Sequence, residues 1–309
     1  MEQKSMTALI SAFARWYHAA HNSIKIFDDS MAGEILSDDE KQQISASMSN
    51  GIGFFNPSFT GTSEEALRWI VDNQLSPSTL GRSAWAERAL RTAVQNGVRQ
   101  YAIVAAGYDT FAYRQPAWAR ELQVYEFDTP HMSADKQIRV QKISGKQPGN
   151  LAYIPIDLNA EPLSEKIYSC AGYDKNKLSM FSLLGISYYL SKENFKAMLQ
   201  DIASAISDGS TIVFDYPDEK THTGQMGERV KRQAMLASGA KEAMLASYSY
   251  AGMEQLLSGC GFLIYEHLMP DEITNQYFTD YNNANPQHLM TAFDNVNYCL
   301  AVRKKAGGV

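Results

Sequence analysis

Three residues whose types and spacing could do chemistry are Gly107, Asp109 and Asp128. Gly107 closes the apolar run at 101–106, which is short and sharply bounded, as expected of a parallel strand buried on both faces. The segment Gly107-Tyr108-Asp109-Thr110 sets a residue without Cβ beside a short acid and a hydroxyl. That suits a sharp strand-to-helix crossover with backbone N–H groups facing outward. Roughly 20 residues past the glycine, a second β-type run at 122–127 leads to Asp128, with Glu126 two positions before it. In a doubly wound sheet an acid at the end of the second strand hydrogen-bonds the two hydroxyls of a ribose. The spacing predicts a nucleoside site or, failing that, a tight βα turn that holds no ligand.

A dinucleotide would prefer G-x-G-x-x-G, with glycines for the turn, the pyrophosphate approach and the helix packing. Here Ala105-Ala106-Gly107 is followed by the bulky Tyr108, Phe111 and Tyr113. A single glycine with an acid two residues on fits a nucleoside with a small charged tail, such as S-adenosylmethionine, better than NAD. Further polar residues fall at predicted strand ends. Asp157 follows a strand at 151–156 and either caps the next turn or receives the exocyclic amine of an adenine. Strand 178–184 runs into Gly185-Ile186-Ser187-Tyr188-Tyr189-Leu190, and strand 211–215 into Tyr216-Pro217. Tyr188, Tyr189 and Tyr216 therefore lie at the edge where a second substrate would bind. With His18, His21 and His222 they are the candidate bases if a hydroxyl must be deprotonated, and each is otherwise a packing residue.

The elements that must position these residues are those of one α/β domain. A chain of 309 residues without a Pro/Gly/Ser-rich linker or internal repeat reads as one domain with additions. Hydrophobic residues at 45% fill a large core, and a net charge of −6 without a basic stripe argues against nucleic acid. Cys170, Cys260 and Cys299 are odd in number, far apart and without C-x-x-C spacing, so neither a disulfide framework nor a zinc site is implied, and no metal is expected. No basic region with an apolar run opens the chain, and no apolar stretch approaches the roughly 20 residues that span a bilayer. The expectation is a cytoplasmic protein, monomer or homodimer, acting on a small molecule and on neither membrane nor nucleic acid.

Four segments follow. Residues 1–98 form a helical preface, with helical spacing at 6–17, 64–74 and 80–96 and a loop at 51–57. Residues 99–218 form the ligand-binding core, including helices from Pro130 to about 142 and over 192–205. Residues 219–255 are a charged, Met- and Ala-rich insertion, helical at 226–245, that serves either as an adaptable lid or as ordinary packing. Residues 256–309 return to the sheet with strands at 262–268 and 296–302, and the scarcity of helix between them predicts an antiparallel edge. Seven strands, mostly parallel with that edge, describe a Rossmann-like sheet of the class I methyltransferase type.

Several ordered blocks resemble the leucine carboxyl methyltransferase family, which includes bacterial S-adenosylmethionine-dependent O-methyltransferases. They are Ile26-Phe27-Asp28-Asp29, Gly81-Arg82-Ser83, residues 96–101, 106–114 and 125–130, Lys136, Ile154-Pro155-Ile156-Asp157 and residues 184–190. The resemblance covers about 10–270. It implies S-adenosylmethionine as donor and S-adenosylhomocysteine as product, with Arg82 pairing with the donor's carboxylate, a task suited to a planar guanidinium. It implies that Ala105 and Gly107 border the methionine portion, Asp128 and Thr129 the ribose, and Asp157 and Leu158 the adenine. Leu184 belongs to the same set, Arg15 is the basic residue some members bring from the N-terminal segment, Arg114 orders the motif by pairing with an acid, and Asp109 does either. Two departures matter. Ala105 replaces the first glycine of the turn and should narrow it, and Leu184 stands where members that methylate protein carboxyl groups carry an acid. The expectation is methyl transfer to a carboxyl or hydroxyl oxygen of a small molecule. The alternatives are a protein C-terminal carboxyl methyltransferase, a catalytically silent S-adenosylmethionine-binding regulator and a nucleotide-dependent oxidoreductase.

Overall fold

The computed structural model describes residues 5–223, 225–239 and 244–305. Its centre is a seven-stranded sheet: β1 (Gln100–Val104), β2 (Gln123–Asp128), β3 (Leu151–Pro155), β4 (Ser179–Leu183), β5 (Thr211–Pro217), β6 (Phe262–Leu268) and β7 (Val296–Arg303). The order across the sheet is β3-β2-β1-β4-β5-β7-β6. Strands β1 to β5 pair in parallel, and β7 runs antiparallel to both β5 and β6. The reversed strand is thus one in from the edge, with β6 outside it. The link between β6 and β7 carries two short helices, Pro270–Tyr277 and Thr279–Ala284, where little helix was expected. The first has Pro270, Asp271 and Glu272 in its opening turn, and Glu272 returns a bond to the Met269 backbone N–H, which is a start signal in a stretch too short to show helical periodicity.

Each strand of the switch-point pair is buried along its whole length, β1 and β4 alike. One face of the sheet packs against the helix Ser76–Gln95, through residues such as Trp85, Leu90, Tyr101 and Ile103. The other face is covered by Lys192–Ala205 and Tyr250–Gly259, through Phe195, Leu199, Met253 and Leu257. A third core lies within the preface, where Leu9, Phe13 and Tyr17 of the helix Met6–His21 meet Ile35, Ile70 and Met132. Among the described residues no helix is long and apolar enough to cross a membrane.

Three local differences from the sequence reading have identifiable causes. The β1–β2 connection contains no α-helix, only the 3₁₀ turns Phe111–Tyr113 and Ala117–Ala119. Pro116 has no N–H to give and biases Gln115 away from the helical region, so a helix cannot propagate past it. The preface helices at 64–74 and 80–96 are one continuous rod, Ser63–Ile70 joined to Ser76–Gln95 by a π-helical turn, Val71–Leu75. Pro77 would leave the Asn73 carbonyl four residues back without a partner, and Arg229 Nε supplies one at 2.6 Å. The expected loop at 51–57 includes a short helix, Ile52–Phe55. In the insertion, helix Glu228–Gly239 lies against the preface, with Arg232 donating to the Phe55 carbonyl. Residues 240–243 of the helix expected at 226–245 lie outside the described residues.

Candidate active site

A cavity of about 950 Å³ opens at the carboxyl ends of β1, β2 and β4, with Ala8, Ser11 and Arg15 of the first helix on its opposite wall. It occupies the topological switch point between β1 and β4, where open α/β sheets bind ligands. A second hollow of about 610 Å³ lies at the outer edge of the sheet, by Tyr250, Glu254 and Leu263, away from every residue proposed for chemistry.

The floor is the turn after β1. Gly107 takes φ 51° and Ala105 takes φ 55°, the latter a left-handed conformation for a residue with a Cβ. The replaced glycine therefore leaves the turn intact and leaves strain in it. This geometry lets the Gly107 N–H donate to Asp128 Oδ2 at 2.6 Å, while the Thr129 N–H donates to Oδ1 at 2.7 Å. Burial pushes the Asp128 pKa up, and those two N–H groups pull it back. Each carboxylate oxygen retains a lone pair for a further donor. Glu126, on the same face of β2, does not reach the cavity. It is buried against Lys136 Nζ at 2.5 Å, and its other oxygen has no partner among the described residues.

Two guanidinium groups enter from the preface. Arg15 donates from Nε to Asp29 Oδ2 at 2.8 Å and from Nη2 to the Tyr108 carbonyl at 2.7 Å. Asp29 also accepts from Thr110 Oγ1 at 2.8 Å, which ties the preface to the β1 turn. Burial would raise the Asp29 pKa, but the Arg15 and Arg114 charges outweigh it and hold the carboxyl below its usual range. Arg114 pairs with Glu87 and donates to Thr110 Oγ1 at 2.7 Å, so it orders the turn from behind and does not line the cavity. The second guanidinium, Arg82, donates from Nη1 to Asp215 Oδ2 at 3.3 Å. Asp215 also accepts the Gly185 N–H at 2.6 Å and the Tyr188 hydroxyl at 3.0 Å.

Arg15, Arg82, Ala105, Gly107, Asp109, Asp128, Thr129, Asp157 and Leu184 all border this one cavity, as does Tyr189. Asp157 also closes its own turn, accepting the Asn159 N–H at 2.9 Å, as expected of a turn cap. Asp109 likewise accepts the Phe111 N–H at 2.8 Å. Three candidates lie elsewhere. Leu158 packs in the core under the opposite face. Tyr188 is buried, and burial followed by the Asp215 charge drives its pKa well up, so it is a fixed donor to Asp215 and not a base. Tyr216 follows Asp215 on a strand, and side-chain alternation turns it to the far face, where its hydroxyl meets His267 Nε2 at 2.8 Å. His18 is fully buried, bonded to the Ile26 N–H, and lowered to about 4 by burial and the Arg68 charge. His21 bonds the Tyr17 carbonyl, and neither it nor His222 borders the cavity.

The residues that sequence reasoning left without a role are Asp215, Gly185, Ser83 and His131, the last three on the cavity wall. Asp215 had a signal: an acid closing the apolar strand expected at 211–215, with the parity that points it to the side of Arg82.

The sheet order, the reversed seventh strand and the cavity at the switch point define a class I methyltransferase-type α/β protein. Solved structures agree at the level of the fold. A methyltransferase-titled protein from Thermobifida fusca superposes with a TM-score of 0.57 at 13% identity, covering 98% of this chain and 96% of the other. A DUF574 family protein from Streptomyces avermitilis gives 0.59 at 12%, covering 95% and 97%. Sequence comparison goes further. The family model described as leucine carboxyl methyltransferase matches residues 8–203. The protein named "Putative S-adenosyl-L-methionine-dependent methyltransferase YktD" of Bacillus subtilis (strain 168) is 35% identical over 311 aligned positions, covering 98% of this chain and 99% of that one. This chain belongs to the leucine carboxyl methyltransferase family.

Proposed function

We propose that this chain transfers a methyl group from S-adenosylmethionine to a carboxyl or hydroxyl oxygen of a small molecule. The observation that carries the reading is the Gly107–Asp128 hook facing two guanidinium groups across one cavity. An acid whose oxygens keep free lone pairs suits the paired hydroxyls of a ribose, and a guanidinium suits an amino-acid carboxylate. The volume, at the upper end for small-molecule sites, suits a donor together with a modest acceptor.

S-adenosylmethionine supplies a methyl group already activated on a sulfonium. What remains for the protein is to align the acceptor oxygen and keep water out. The first helix and the π-jointed rod wall the cavity for that purpose, and the apolar Leu184 and Ile186 border it at the end of β4. A carboxylate acceptor is ionised at neutral pH and needs no base, whereas a phenol or alcohol would draw on a nearby group, with Tyr189 and His131 on the wall.

Calorimetric titration with S-adenosylmethionine, S-adenosylhomocysteine and NAD tests the donor, and Asp128→Ala should weaken the two adenosyl ligands by about 1–3 kcal/mol. Labelled methyl transfer to panels of carboxylic acids and phenols tests the acceptor, an ester being recognised by release of methanol in alkali. Binding of NAD alone, or unchanged affinity in Asp128→Ala, refutes the assignment.

A further inference from the structure

Asp215 sits at the carboxyl end of β5 with 1% of its surface exposed. Three donors from two separate elements converge on it: the Gly185 N–H on Oδ1, and the Tyr188 hydroxyl and Arg82 Nη1 on Oδ2. The Ser187 hydroxyl adds a bond to its carbonyl at 2.5 Å. One buried acid therefore joins the loop after β4 to the preface helix that carries Arg82. The seat of the guanidinium is shaped on its other side by Gly185. A Cβ there would lie 2.5 Å from Arg82 Nη1 and 2.8 Å from Nη2, and the backbone, at φ 71°, is itself in the region that favours glycine. Arg82 has five N–H donors, of which Asp215 takes one, and no second acceptor meets it among the described residues. The guanidinium nevertheless borders the cavity.

Fold stability alone is a poor reason for such an arrangement. A desolvated ion pair is commonly matched or bettered by apolar side chains of the same volume. A fixed cation with unused donors at a cavity wall is what a carboxylate ligand needs, because the ordering is done before the ligand arrives.

We propose that Asp215 is a positioning residue: with Gly185 it holds Arg82 so that its remaining N–H groups receive the carboxylate of the donor's amino-acid tail. This rests on the donor reading above. It extends that reading by assigning the discrimination of the tail, as distinct from the nucleoside, to a residue that touches neither.

The test compares S-adenosylhomocysteine with 5′-methylthioadenosine, which shares the adenosine and the thioether and lacks the amino-acid tail. In Asp215→Asn, S-adenosylhomocysteine affinity by calorimetry should fall at least tenfold, and that of methylthioadenosine should stay within twofold. In an Arg82→Met background the same substitution should add less than a further twofold, since a residue acting through Arg82 has nothing left to position. Gly185→Ala, which keeps the N–H that Asp215 accepts but drives a Cβ into the guanidinium, should give the same ligand pattern, and it carries the test if Asp215→Asn does not fold. Equal losses for both ligands, or effects of Asp215→Asn and Arg82→Met that multiply, overturn the proposal. Wild-type protein that binds neither ligand overturns the donor reading itself, an outcome distinct from the others.

Discussion

Removing the Lys136 ammonium should cost more than any surface substitution, and the cost should depend on pH. Lys136 lies nearly two turns into the helix Pro130–Ser144, which starts two residues after Asp128, and it clamps that helix to β2 through Glu126. Both side chains are at most 2% exposed, and among the described residues Glu126 has no other hydrogen-bond partner. In Lys136→Met the carboxylate is left buried and unpaired, a change worth about 3–5 kcal/mol. Burial already raises the Glu126 pKa, with Lys136 opposing and Asp109 and Asp128 adding to it. Without the ammonium the shift grows. A carboxyl group raised in the folded state binds its proton there at pH values where the unfolded chain has released it. Its contribution is therefore favourable on the acid side and is lost as pH rises from the ordinary carboxylate range to the folded pKa. The slope within that window is about 1.4 kcal/mol per pH unit. Urea unfolding of Lys136→Met should show the larger deficit at pH 8 and recover about 1–2 kcal/mol of it by pH 6, since the wild-type Glu126 carboxyl, raised to about 7, gains part of the same stabilisation. The double variant Glu126→Leu/Lys136→Met should lose far less than the single one, because no charge is stranded. A loss under about 1 kcal/mol at pH 8, or one that is the same at both pH values, would refute the reasoning.

Two further substitutions test the turn and the strand parity. Ala105→Gly should raise unfolding free energy by about 0.5–1 kcal/mol, the left-handed strain relieved less the added entropy of the unfolded chain, without changing S-adenosylhomocysteine affinity beyond twofold; a less stable variant would show the φ of 55° to be unstrained. Tyr216→Phe should cost about 1 kcal/mol through the lost bond to His267 and leave methyl transfer unchanged; a tenfold fall in kcat would return Tyr216 to the reaction.

The central strands were legible because parallel strands buried on both faces are largely apolar runs. The run at 262–268 coincides with β6, and the others differ from the sheet by no more than two residues at either end. The turn was legible from Gly107 and Asp128, whose separation in sequence is closed by a single N–H bond. Helices built from one or two turns were not. Leu163–Ser169 and Thr279–Ala284 are too short for a period of 3.6 to declare itself, and their existence follows from packing on the sheet. Tyr216 was misplaced for a different reason. Position at a strand end is set by length along the chain, but facing is set by parity, and Tyr216 shares its end with Asp215 while facing the opposite core. Asp215 itself was legible as an acid but not as a hub, since its partners Arg82, Gly185 and Tyr188 come from distant stretches that only the fold unites.

The preface has a task beyond completing the core. The sheet contributes acids to the cavity, Asp109, Asp128 and Asp157, while both guanidinium groups come from the preface, Arg15 on the first helix and Arg82 on the rod. Each cation is held by a buried acid, Asp29 or Asp215, and these two anchors differ in origin. Asp29 belongs to the preface and reaches the β1 turn through Thr110, so that Arg15 is fixed to that turn. Asp215 belongs to the sheet and reaches up to the rod, so that Arg82 is fixed to the loop after β4. On the donor reading proposed above, a ligand with hydroxyl donors at one end and a carboxylate at the other would be matched by acids from one layer and bases from the other. Sheet and preface must be docked before the site exists, and the two buried acids are the contacts that register one against the other.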